Sequence, residues 1–331
     1  MHVLITGGAG YIGSHAAKAA AKAGFVPVVM DNLSRGYRDT VKWGPLIEAD
    51  ISDRDALRKA FREYSIGAIM HFAAYAYVGE SMRAPGLYFE NNVAASLDLL
   101  EIARQEGVKK IVFSSSCATY GTPQQVPIGE DHIQRPLSPY GESKLMVERI
   151  LYWYASIFGL SCIALRYFNA AGADPAGELG ENHDPETHLI PLAISAASGL
   201  SPALEIFGTD YDTPDGTAVR DYLHVTDLAE AHVAALAHSD QPDYQPGFSA
   251  FNLGTGKGYS VREVVAMVER VSGEKVPFKE VARRAGDPAC LVADASRAGD
   301  VLAWRPVHSS LEEIVQTAWD WKTRLARADA V

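Results

Sequence analysis

The first thirty residues constrain the fold of this chain more than any other segment. The apolar run His2–Thr6 leads directly into Gly7-Gly8-Ala9-Gly10-Tyr11-Ile12-Gly13, which an alanine-rich helical stretch follows as far as Gly24. In a strand–turn–helix unit of this kind, glycines allow the tight turn, and the N–H groups at the helix start can meet a pyrophosphate. The sequence therefore predicts a dinucleotide-binding unit with Gly7, Gly10 and Gly13 at its turn.

An acidic residue at the end of the next predicted strand supports this interpretation. The apolar segment from Phe25 to Met30 ends in Asp31, 18 residues after Gly13. A carboxylate at this position can accept hydrogen bonds from the ribose hydroxyls of adenosine, and it would repel a 2′-phosphate. We therefore expect NAD as the cofactor rather than NADP.

Strands and helices alternate through the first half of the chain. Apolar strands are predicted at 66–72, 110–113 and 161–168, and helical stretches such as 53–64 and 87–106 separate them. This alternation is typical of α/β proteins in which helices cover both faces of a parallel sheet. The predicted fold is a Rossmann-type doubly wound parallel sheet, in which ligands bind at the carboxyl ends of the strands.

The second half of the chain contains more predicted loops than the first half. After about residue 172, proline and glycine interrupt the sequence in loops such as Gly172–Pro175 and Asp210–Gly216. We expect residues 1–172 to form the NAD-binding domain, with a segment near 219–253 returning to it. Residues 173–331 are expected to form a smaller α/β lobe that binds the substrate.

A tyrosine, a lysine and a serine form the candidate catalytic group. Tyr140 and Lys144 are four residues apart and share one face of a predicted helix, and Ser116 ends a predicted strand. Tyrosine is a poor base at neutral pH, because its pKa lies near 10, so Lys144 is expected to lower the pKa of Tyr140. Ser116 could bond the developing oxyanion and shuttle its proton. The simpler alternative is a buried tyrosine beside a surface lysine.

Charge and cysteine content argue against several partners. The net charge is −11 and no cluster of basic residues is present, so a sequence-independent nucleic-acid partner is not expected. Cys117, Cys162 and Cys290 are too widely spaced for a disulfide framework or a CxxC metal site, so no metal is expected and a reducing cytoplasm fits best. No signal peptide or membrane-spanning run is expected either.

Six stretches of the chain together resemble UDP-glucose 4-epimerases, a group of extended short-chain dehydrogenases/reductases. The glycine turn and the Tyr/Lys pair are shared by that whole superfamily, whereas Arg-Tyr-Phe-Asn and Gly-Thr-x-Val-Arg-Asp-Tyr are more specific to nucleotide-sugar 4-epimerases. The six stretches are Thr6–Gly13, Phe113–Ser116, Ser138–Lys144, Arg166–Gly172, His188–Pro191 and Asp215–Val225. The resemblance covers nearly the whole chain.

The resemblance implies a reaction and an assembly. The tyrosine matching Tyr140 would remove the proton of the sugar 4-hydroxyl while hydride passes from C4 to tightly held NAD. The 4-keto sugar would then turn over in the pocket, and hydride would return to its other face. Thr119 would assist Ser116. The resemblance also implies a homodimer, formed by the helix after Pro85 and the helix that carries Tyr140.

The resemblance further implies two sets of binding residues. Around the cofactor it places Gly7, Gly10, Tyr11, Ile12, Gly13, Asp31, Asn32, Asp50, Ile51, Phe72, Ala73, Ala74, Asn91, Tyr140, Lys144 and Phe168. Around the UDP-sugar it places Ser116, Asn169, His188, Leu189, Phe207, Arg220, Arg284, Asp287 and Leu291. A guanidinium suits a pyrophosphate because it can form paired hydrogen bonds, although a lone arginine near an acid is often only a surface ion pair.

Two positions depart from other members of the group. Ala76 stands where some members carry a lysine near the cofactor phosphates, and His188 stands where others have asparagine. As a solitary histidine, His188 fits a structural or hydrogen-bonding role better than that of a base. Leu291 matches the position that lines the sugar pocket in this group and whose bulk is associated with exclusion or acceptance of an N-acetyl group. The simpler alternative is a buried strand residue, because Leu291-Val292-Ala293 is a short apolar run. If Leu291 faces the sugar, we expect poor activity on N-acetylated UDP-sugars.

Three competing functions must explain the same residues. A nucleotide-sugar 4,6-dehydratase needs an Asp-Glu pair after the serine position, where this chain has Cys117-Ala118-Thr119. A non-catalytic NAD-binding protein would not need Ser116, Tyr140 and Lys144 together. A UDP-pentose 4-epimerase, acting on UDP-xylose and UDP-arabinose, would use identical chemistry and is the second choice after a UDP-hexose epimerase.

Overall fold

The computed structural model describes residues 1–284 and 286–328. Its strands in chain order are β1 (His2–Thr6), β2 (Val26–Asp31), β3 (Leu46–Glu48), β4 (Ile66–His71), β5 (Lys110–Ser114), β6 (Ser161–Tyr167), β7 (Asn169–Ala171), β8 (Leu204–Phe207), β9 (Val219–His224), β10 (Phe248–Leu253), β11 (Gly258–Ser260), β12 (Phe278–Val281) and β13 (Cys290–Leu291).

The helices follow the same numbering. They are α1 (Tyr11–Lys22), α2 (Arg54–Glu63), α3 (Val78–Ser81), α4 (Pro85–Phe89), α5 (Ala95–Gln105), α6 (Pro139–Phe158), α7 (Leu189–Ala197), α8 (Val225–His238), α9 (Val261–Ser272), α10 (Ser296–Leu302) and α11 (Leu311–Ala328). No helix in the described part of the chain is both long enough and apolar enough to cross a membrane.

Seven parallel strands form the main sheet, in the order β3-β2-β1-β4-β5-β6-β10. The chain adds strands in one direction from β1 to β3 and in the other from β4 onward, so the order reverses between β1 and β4. Thr6 is in register with Met30 on one side and with His71 on the other. The loops after these three strands therefore meet at the reversal point, where doubly wound sheets bind ligands. The predicted fold class is confirmed.

The alternation of β1 shows why the sheet needs helices on both faces. Val3 and Ile5 are buried in an apolar cluster with residues of α1 and α8, whereas Leu4 is buried on the other face with residues of α2, α5 and α6. Successive side chains of a strand point to opposite faces, so a strand that is apolar throughout requires a cover on each side.

The predicted long helix at 87–106 contains an irregular turn. Between α4 and α5, residues 90–94 form a single π-helical segment rather than continuing the α-helix. Asn92 in this segment accepts a hydrogen bond from the Tyr75 N–H and donates to Ser143 Oγ on α6. The π turn thus ties the loop after β4 to the helix that carries Tyr140, which fits the frequent occurrence of such turns at functional sites.

Smaller sheets form the remainder of the fold. β9 pairs with β7, β11 and β13, while β8 and β12 pair separately. A third apolar cluster, with residues of α7, α9 and α11, packs around them. β10 joins the main sheet beside β6, whereas β9 belongs to the smaller sheet. Of the segment near 219–253, the helix and last strand thus lie with the main sheet.

Candidate active site

One large cleft lies at the carboxyl ends of the main-sheet strands. Its volume is about 460 Å³, within the range of roughly 300–1,000 Å³ usual for small-molecule sites. Loops after β1, β2, β4, β5 and β6 line one side, and residues from the second half of the chain, including Arg220 and Leu291, line the other. All sixteen residues that the sequence analysis assigned to the cofactor lie on its wall, which brings the whole predicted set together.

The glycine turn forms a cradle that larger residues would fill. A Cβ atom on Gly13 would lie 2.2 Å from the Gly7 carbonyl oxygen, and one on Gly7 would lie 2.6 Å from the Ala73 nitrogen. Gly7 also has a φ of +70°, which few other residues adopt. The backbone packs this closely because α1 begins directly after the turn, at Tyr11.

The start of α1 is free to hold an anion. Gly10 precedes the helix without a side-chain cap, and no acidic residue occupies the first turn. The first N–H groups of a helix lack intrahelical partners and carry the positive end of the helix dipole. The residues present therefore fit the pyrophosphate of NAD, which Gly10, Tyr11, Ile12 and Gly13 would hold.

Asp31 stands at the end of β2, beside this turn. Its carboxylate accepts hydrogen bonds from the N–H groups of Ala9, at 3.0 Å, and Leu33, at 2.8 Å. Burial raises the pKa of Asp31, while these two bonds oppose the rise. The same carboxylate thus stabilises the turn and lies on the cavity wall, where the sequence predicts that it meets the adenosine ribose.

A second pair of side chains continues the wall toward β3. Asn32 Nδ2 donates to Asp50 Oδ2 at 2.6 Å, and Ser52 donates to Asp50 Oδ1. Burial opposes ionisation of Asp50, but the bonds from Ser52 and Asn32 outweigh it and lower its pKa. This end of the cavity therefore carries a second negative charge beside Asp31, which is unfavourable for an additional phosphate.

Tyr140 and Lys144 lie on the buried face of α6, deep in the cavity. Ser138 caps the helix by accepting from the Gly141 N–H, and Pro139 occupies the first helical position. Lys144 Nζ donates to the Ser114 carbonyl at 2.8 Å and lies 5.9 Å from the centre of the Tyr140 ring. The end of β5 therefore positions the ammonium group beside the phenol, and Ser116, two residues further along, lines the same pocket.

The expected lowering of the pKa of Tyr140 depends on Lys144 together with the charge of the nicotinamide, and the protein's own groups do not produce it. Burial raises the pKa of Tyr140 well above its usual value, Tyr167 adds to the rise, and Ser116 opposes it through a hydrogen bond. Burial also lowers the pKa of Lys144 to about 7, against the attraction of Glu148. Both groups are buried, and the loss of solvation disfavours the charged form of each.

A buried polar network holds the catalytic helix in place. Glu148, one turn beyond Lys144, forms hydrogen bonds with Arg166 on β6 and with Ser115 after β5. Arg166 Nη1 also donates to Tyr120 Oη at 2.9 Å, and Tyr120 donates to Asn252 on β10. These bonds join α6 to three neighbouring strands, so they restrict the position of Tyr140 relative to Ser116.

The expected assistance from Thr119 has no support in the geometry. Thr119 is buried outside the cavity wall, and its hydroxyl donates to the Ser116 carbonyl at 3.0 Å. It therefore shapes the turn that carries Ser116 and does not face the pocket. The Ser116 hydroxyl itself accepts from the Ala118 N–H at 3.2 Å.

The residues predicted to bind the UDP-sugar fall into two groups. Six line the cavity: Ser116, Asn169, His188, Arg220, Asp287 and Leu291. Leu189, Phe207 and Arg284 are not on its wall, and the Arg284 guanidinium instead stacks 3.8 Å from the centre of the Phe207 ring. Arg220 pairs with Asp287 and donates to the Val219 carbonyl. The assignment of all nine to substrate binding stays a prediction.

His188 belongs to a cluster that the sequence analysis did not identify. Its Nδ1 lies 2.7 Å from Glu181 Oε1 and 3.1 Å from Glu186 Oε1. Burial opposes the imidazolium form, but the two carboxylates raise the pKa of His188 to about 10. Glu181 and His183 also line the cavity. The local sequence Glu-x-His-x-x-Glu-x-His was the signal in the chain that could have indicated this cluster. Finding it would have required attention to the spacing of His183 and His188 from the two glutamates.

Comparisons with known proteins agree with this geometry. The sequence profile of the NAD dependent epimerase/dehydratase family matches residues 3–254. A UDP-glucose 4-epimerase from Rhizobium leguminosarum bv. trifolii is 49% identical over 323 residues, covering 97% of each chain. The crystal structure of UDP-glucose 4-epimerase from Brucella ovis in complex with NAD is 51% identical, covers 96% of this chain and 97% of that one, and has a TM-score of 0.93.

A second solved structure contains a sugar nucleotide. It is the UDP-glucose-4-epimerase from Stenotrophomonas maltophila with bound NAD and formylated UDP-arabinopyranose. It is 40% identical, covers 99% of both chains and has a TM-score of 0.95. Relatives and solved structures thus match over nearly the full length of the chain.

Proposed function

This chain belongs to the NAD-dependent epimerase/dehydratase family and, within it, to the UDP-glucose 4-epimerases, and from that premise we propose that it interconverts UDP-glucose and UDP-galactose with tightly bound NAD. The observation that carries the proposal is the shared cavity. The glycine turn and Asp31 line the same cavity as Tyr140, Lys144 and Ser116. A cofactor and a reacting sugar can therefore meet beside one potential base.

The chain's own residues suit proton transfer at a sugar hydroxyl. NAD, when bound, supplies a hydride acceptor and a positive charge that favours the phenolate form of a nearby tyrosine. Tyr140 would take the proton of the 4-hydroxyl and later return it, and Ser116 would donate a hydrogen bond to the oxygen as it loses that proton. Lys144, held by the Ser114 carbonyl, would stabilise the phenolate. Return of the hydride to the opposite face of the sugar C4 inverts the configuration of that carbon.

The substrate side of the cavity supplies the expected recognition groups. Arg220 donates a hydrogen bond to Asp287. If it releases Asp287, its guanidinium can form paired hydrogen bonds with the diphosphate of the ligand. Asn169, the first residue of β7, offers an amide to the sugar, and Leu291 forms an apolar part of the wall. We assign these residues to the UDP-sugar.

The test uses the purified protein and UDP-galactose without added NAD. Formation of UDP-glucose, with no NADH accumulating in solution, is the expected result, because the cofactor is regenerated in each turnover. Denaturation of the same sample should release about one NAD per chain. Absence of reaction, or formation of a 4-keto-6-deoxy sugar nucleotide, would contradict the proposal.

The pentose alternative is tested in the same assay with UDP-xylose. The curated relatives carry the UDP-glucose name, which favours the hexose. We expect kcat/KM to be higher for UDP-galactose than for UDP-xylose. The reverse order would assign the protein to the UDP-pentose 4-epimerases.

We also propose a homodimer formed through α5 and α6. Large apolar side chains on the outer face of these helices are exposed in one chain: Tyr152, Trp153, Ile157 and Phe158 on α6 and Leu97 on α5. A patch of this kind commonly marks an interaction surface. Two copies related by a twofold axis would bring four helices together and cover it.

Two further assignments rest on the sequence and on local observations. A cytoplasmic location is supported by three unpaired cysteines, two of them buried, which suit a reducing compartment. A division into an NAD-binding domain at 1–172 and a UDP-sugar-binding lobe at 173–331 is supported by the separate small sheets. Cell fractionation tests the first assignment, and limited proteolysis with and without a UDP-sugar tests the second.

A further inference from the structure

Four side chains between residues 181 and 188 point their polar atoms at one another at the edge of the cavity. One ring nitrogen or carboxylate oxygen from each of Glu181, His183, Glu186 and His188 lies within 4.8 Å of the other three. His183 Nδ1 is 3.0 Å from Glu181 Oε1, the same oxygen that lies 2.7 Å from His188 Nδ1. The proposed epimerisation uses neither His183 nor either carboxylate.

We propose that these four residues form a binding site for one divalent transition-metal cation, with Zn²⁺ as the best-suited ion. Zinc sites are typically four-coordinate, and both imidazole nitrogens and carboxylate oxygens are common zinc ligands. Mg²⁺ and Ca²⁺ prefer oxygen ligands throughout, so two histidines disfavour them. No metal was expected from the sequence, because the cysteine spacing excludes a CxxC site, whereas these four ligands are histidines and glutamates.

The burial of Glu181 is an independent observation that points to a cation. The residue is 8% exposed. Among the side chains that the structure describes, no lysine or arginine nitrogen lies within 4.0 Å of its carboxylate, and its close polar partners are the rings of His183 and His188. A buried carboxylate requires a compensating positive charge. A cation held by this carboxylate and the two rings would supply that charge.

The charge and spacing of the cluster suit a divalent cation. Its ligand set combines two carboxylates, which together can offset the two positive charges of the ion, with two imidazole rings. Zinc–ligand distances of about 2.0–2.2 Å imply neighbouring ligand atoms about 3.3–3.6 Å apart in a tetrahedral site. The closest pairs in the cluster are 2.7–3.1 Å apart, so small movements of the rings would admit the ion. Metal ligands bind in their deprotonated forms, so protons compete with the ion and binding should weaken as the pH falls.

The surroundings hold the four ligands in place. The indole Nε1 of Trp321 donates to the Glu181 carbonyl at 3.1 Å. The rings of Tyr11 and Tyr77 flank His183, each with its centre 6.0 Å from the imidazole centre. Because α7 begins directly after His188, a bound cation would fix the start of this helix against α1, on which Tyr11 lies.

The experiment titrates Co²⁺ into the tag-free, full-length protein with its NAD, after dialysis against a chelator. We expect saturable binding of one Co²⁺ per chain, with visible absorption bands that Zn²⁺ abolishes by displacement. His183→Ala and Glu186→Gln should each weaken binding about tenfold or more, since loss of even a supporting contact costs a metal site that much. Zn²⁺ should also raise the Tm of the wild type more than that of either variant.

His308→Ala is the matched control. Its ring nitrogen Nδ1 lies 2.7 Å from Glu313 Oε1, so it is a histidine with an acidic neighbour outside the cluster. We expect its Co²⁺ affinity to equal that of the wild type. Absence of saturable binding at roughly millimolar Co²⁺, or unchanged affinity in folded His183→Ala and Glu186→Gln proteins, would overturn the proposal. Because the readout is the Co²⁺ spectrum, it does not depend on the epimerase activity.

Discussion

Tyr140 shows how strongly one side chain depends on its surroundings. Its ring is 6% exposed, and burial raises its pKa above that of a free tyrosine. The phenolate therefore needs positive charge that the pocket supplies only in part, from a lysine whose own pKa is lowered to about 7. This balance explains why the proposed base would act efficiently only when substrate and cofactor share the cavity.

The first prediction at the residue scale concerns Tyr140→Phe. The substitution removes only the ionisable oxygen, so we expect turnover of UDP-galactose to fall at least about 100-fold, the usual effect of losing a general base. NAD content and the circular dichroism spectrum should stay close to those of the wild type. Tyr152→Phe, the same change at an exposed position of the same helix, is the control. Retention of more than about a tenth of the wild-type rate would identify another base.

Asp31 supports a second prediction, about cofactor choice. Asp31→Asn removes the negative charge but keeps an oxygen for the Ala9 and Leu33 N–H groups, whereas Asp31→Ala removes both. We expect both variants to bind NADP better relative to NAD, and only Asp31→Ala to lose substantial thermal stability. Reconstitution of cofactor-stripped protein with each nucleotide measures the ratio. An unchanged ratio in Asp31→Asn would show that the acid only stabilises the turn.

Leu291 supports a third prediction, about substrate size. Its side chain lines the cavity and packs at the edge of a small apolar cluster with Phe168 and Cys117. An acetamido group would meet this branched side chain, and overpacking of this kind costs about 1–3 kcal/mol. We expect low activity of the wild type on UDP-N-acetylglucosamine and higher activity of Leu291→Ser, with little change for UDP-glucose. Similar kcat/KM values of the wild type for both sugars would refute this role.

At the scale of elements, the turn between β1 and α1 leaves no room for a side chain at Gly13. The backbone of Gly7 and Gly8 lies so close to Gly13 that a methyl group on Gly13 would have no room. The neighbouring atoms belong to backbone rather than to flexible side chains, so the strain cannot be relieved by a rotamer change. Substitution therefore displaces α1, and with it the N–H groups proposed to hold the pyrophosphate.

The element-scale prediction compares two glycine substitutions. Gly13→Ala should lower the free energy of unfolding by about 2 kcal/mol or more and should yield protein that lacks bound NAD. Gly129→Ala is the matched control, because a Cβ atom there meets nothing within 4 Å and its φ is not in the left-handed region. Thermal unfolding and NAD release measure both effects. Normal NAD content in Gly13→Ala would show that the turn accommodates a side chain.

At the scale of the whole molecule, the outer face of α5 and α6 decides the proposed assembly. Light scattering should give twice the 35.8 kDa of one chain. Ile157→Glu places a charge in the centre of the exposed apolar face, so we expect a shift to monomers. Val307→Glu, at a residue that is 74% exposed elsewhere, should leave the mass unchanged. A wild-type mass near that of one chain, or a dimeric Ile157→Glu protein, would contradict this interface.

Features that depend on short spacings were predictable from the sequence. The glycine turn, the acid after β2 and the Tyr140–Lys144 pair each depend on residues close together in the chain, where backbone geometry alone relates them. Strand alternation predicted the parallel sheet, and the ends of its strands predicted the cavity wall. These inferences succeeded because a doubly wound sheet brings all such ends to one edge.

The folded structure was needed to establish the properties that depend on burial and on contacts between distant segments. It placed Lys144 against the Ser114 carbonyl, raised rather than lowered the pKa of Tyr140, and directed the Thr119 hydroxyl away from the cavity. It also gathered Glu181 and His183 around His188. Desolvation is the sum over every element that surrounds a group, and no local pattern in the sequence contains that sum.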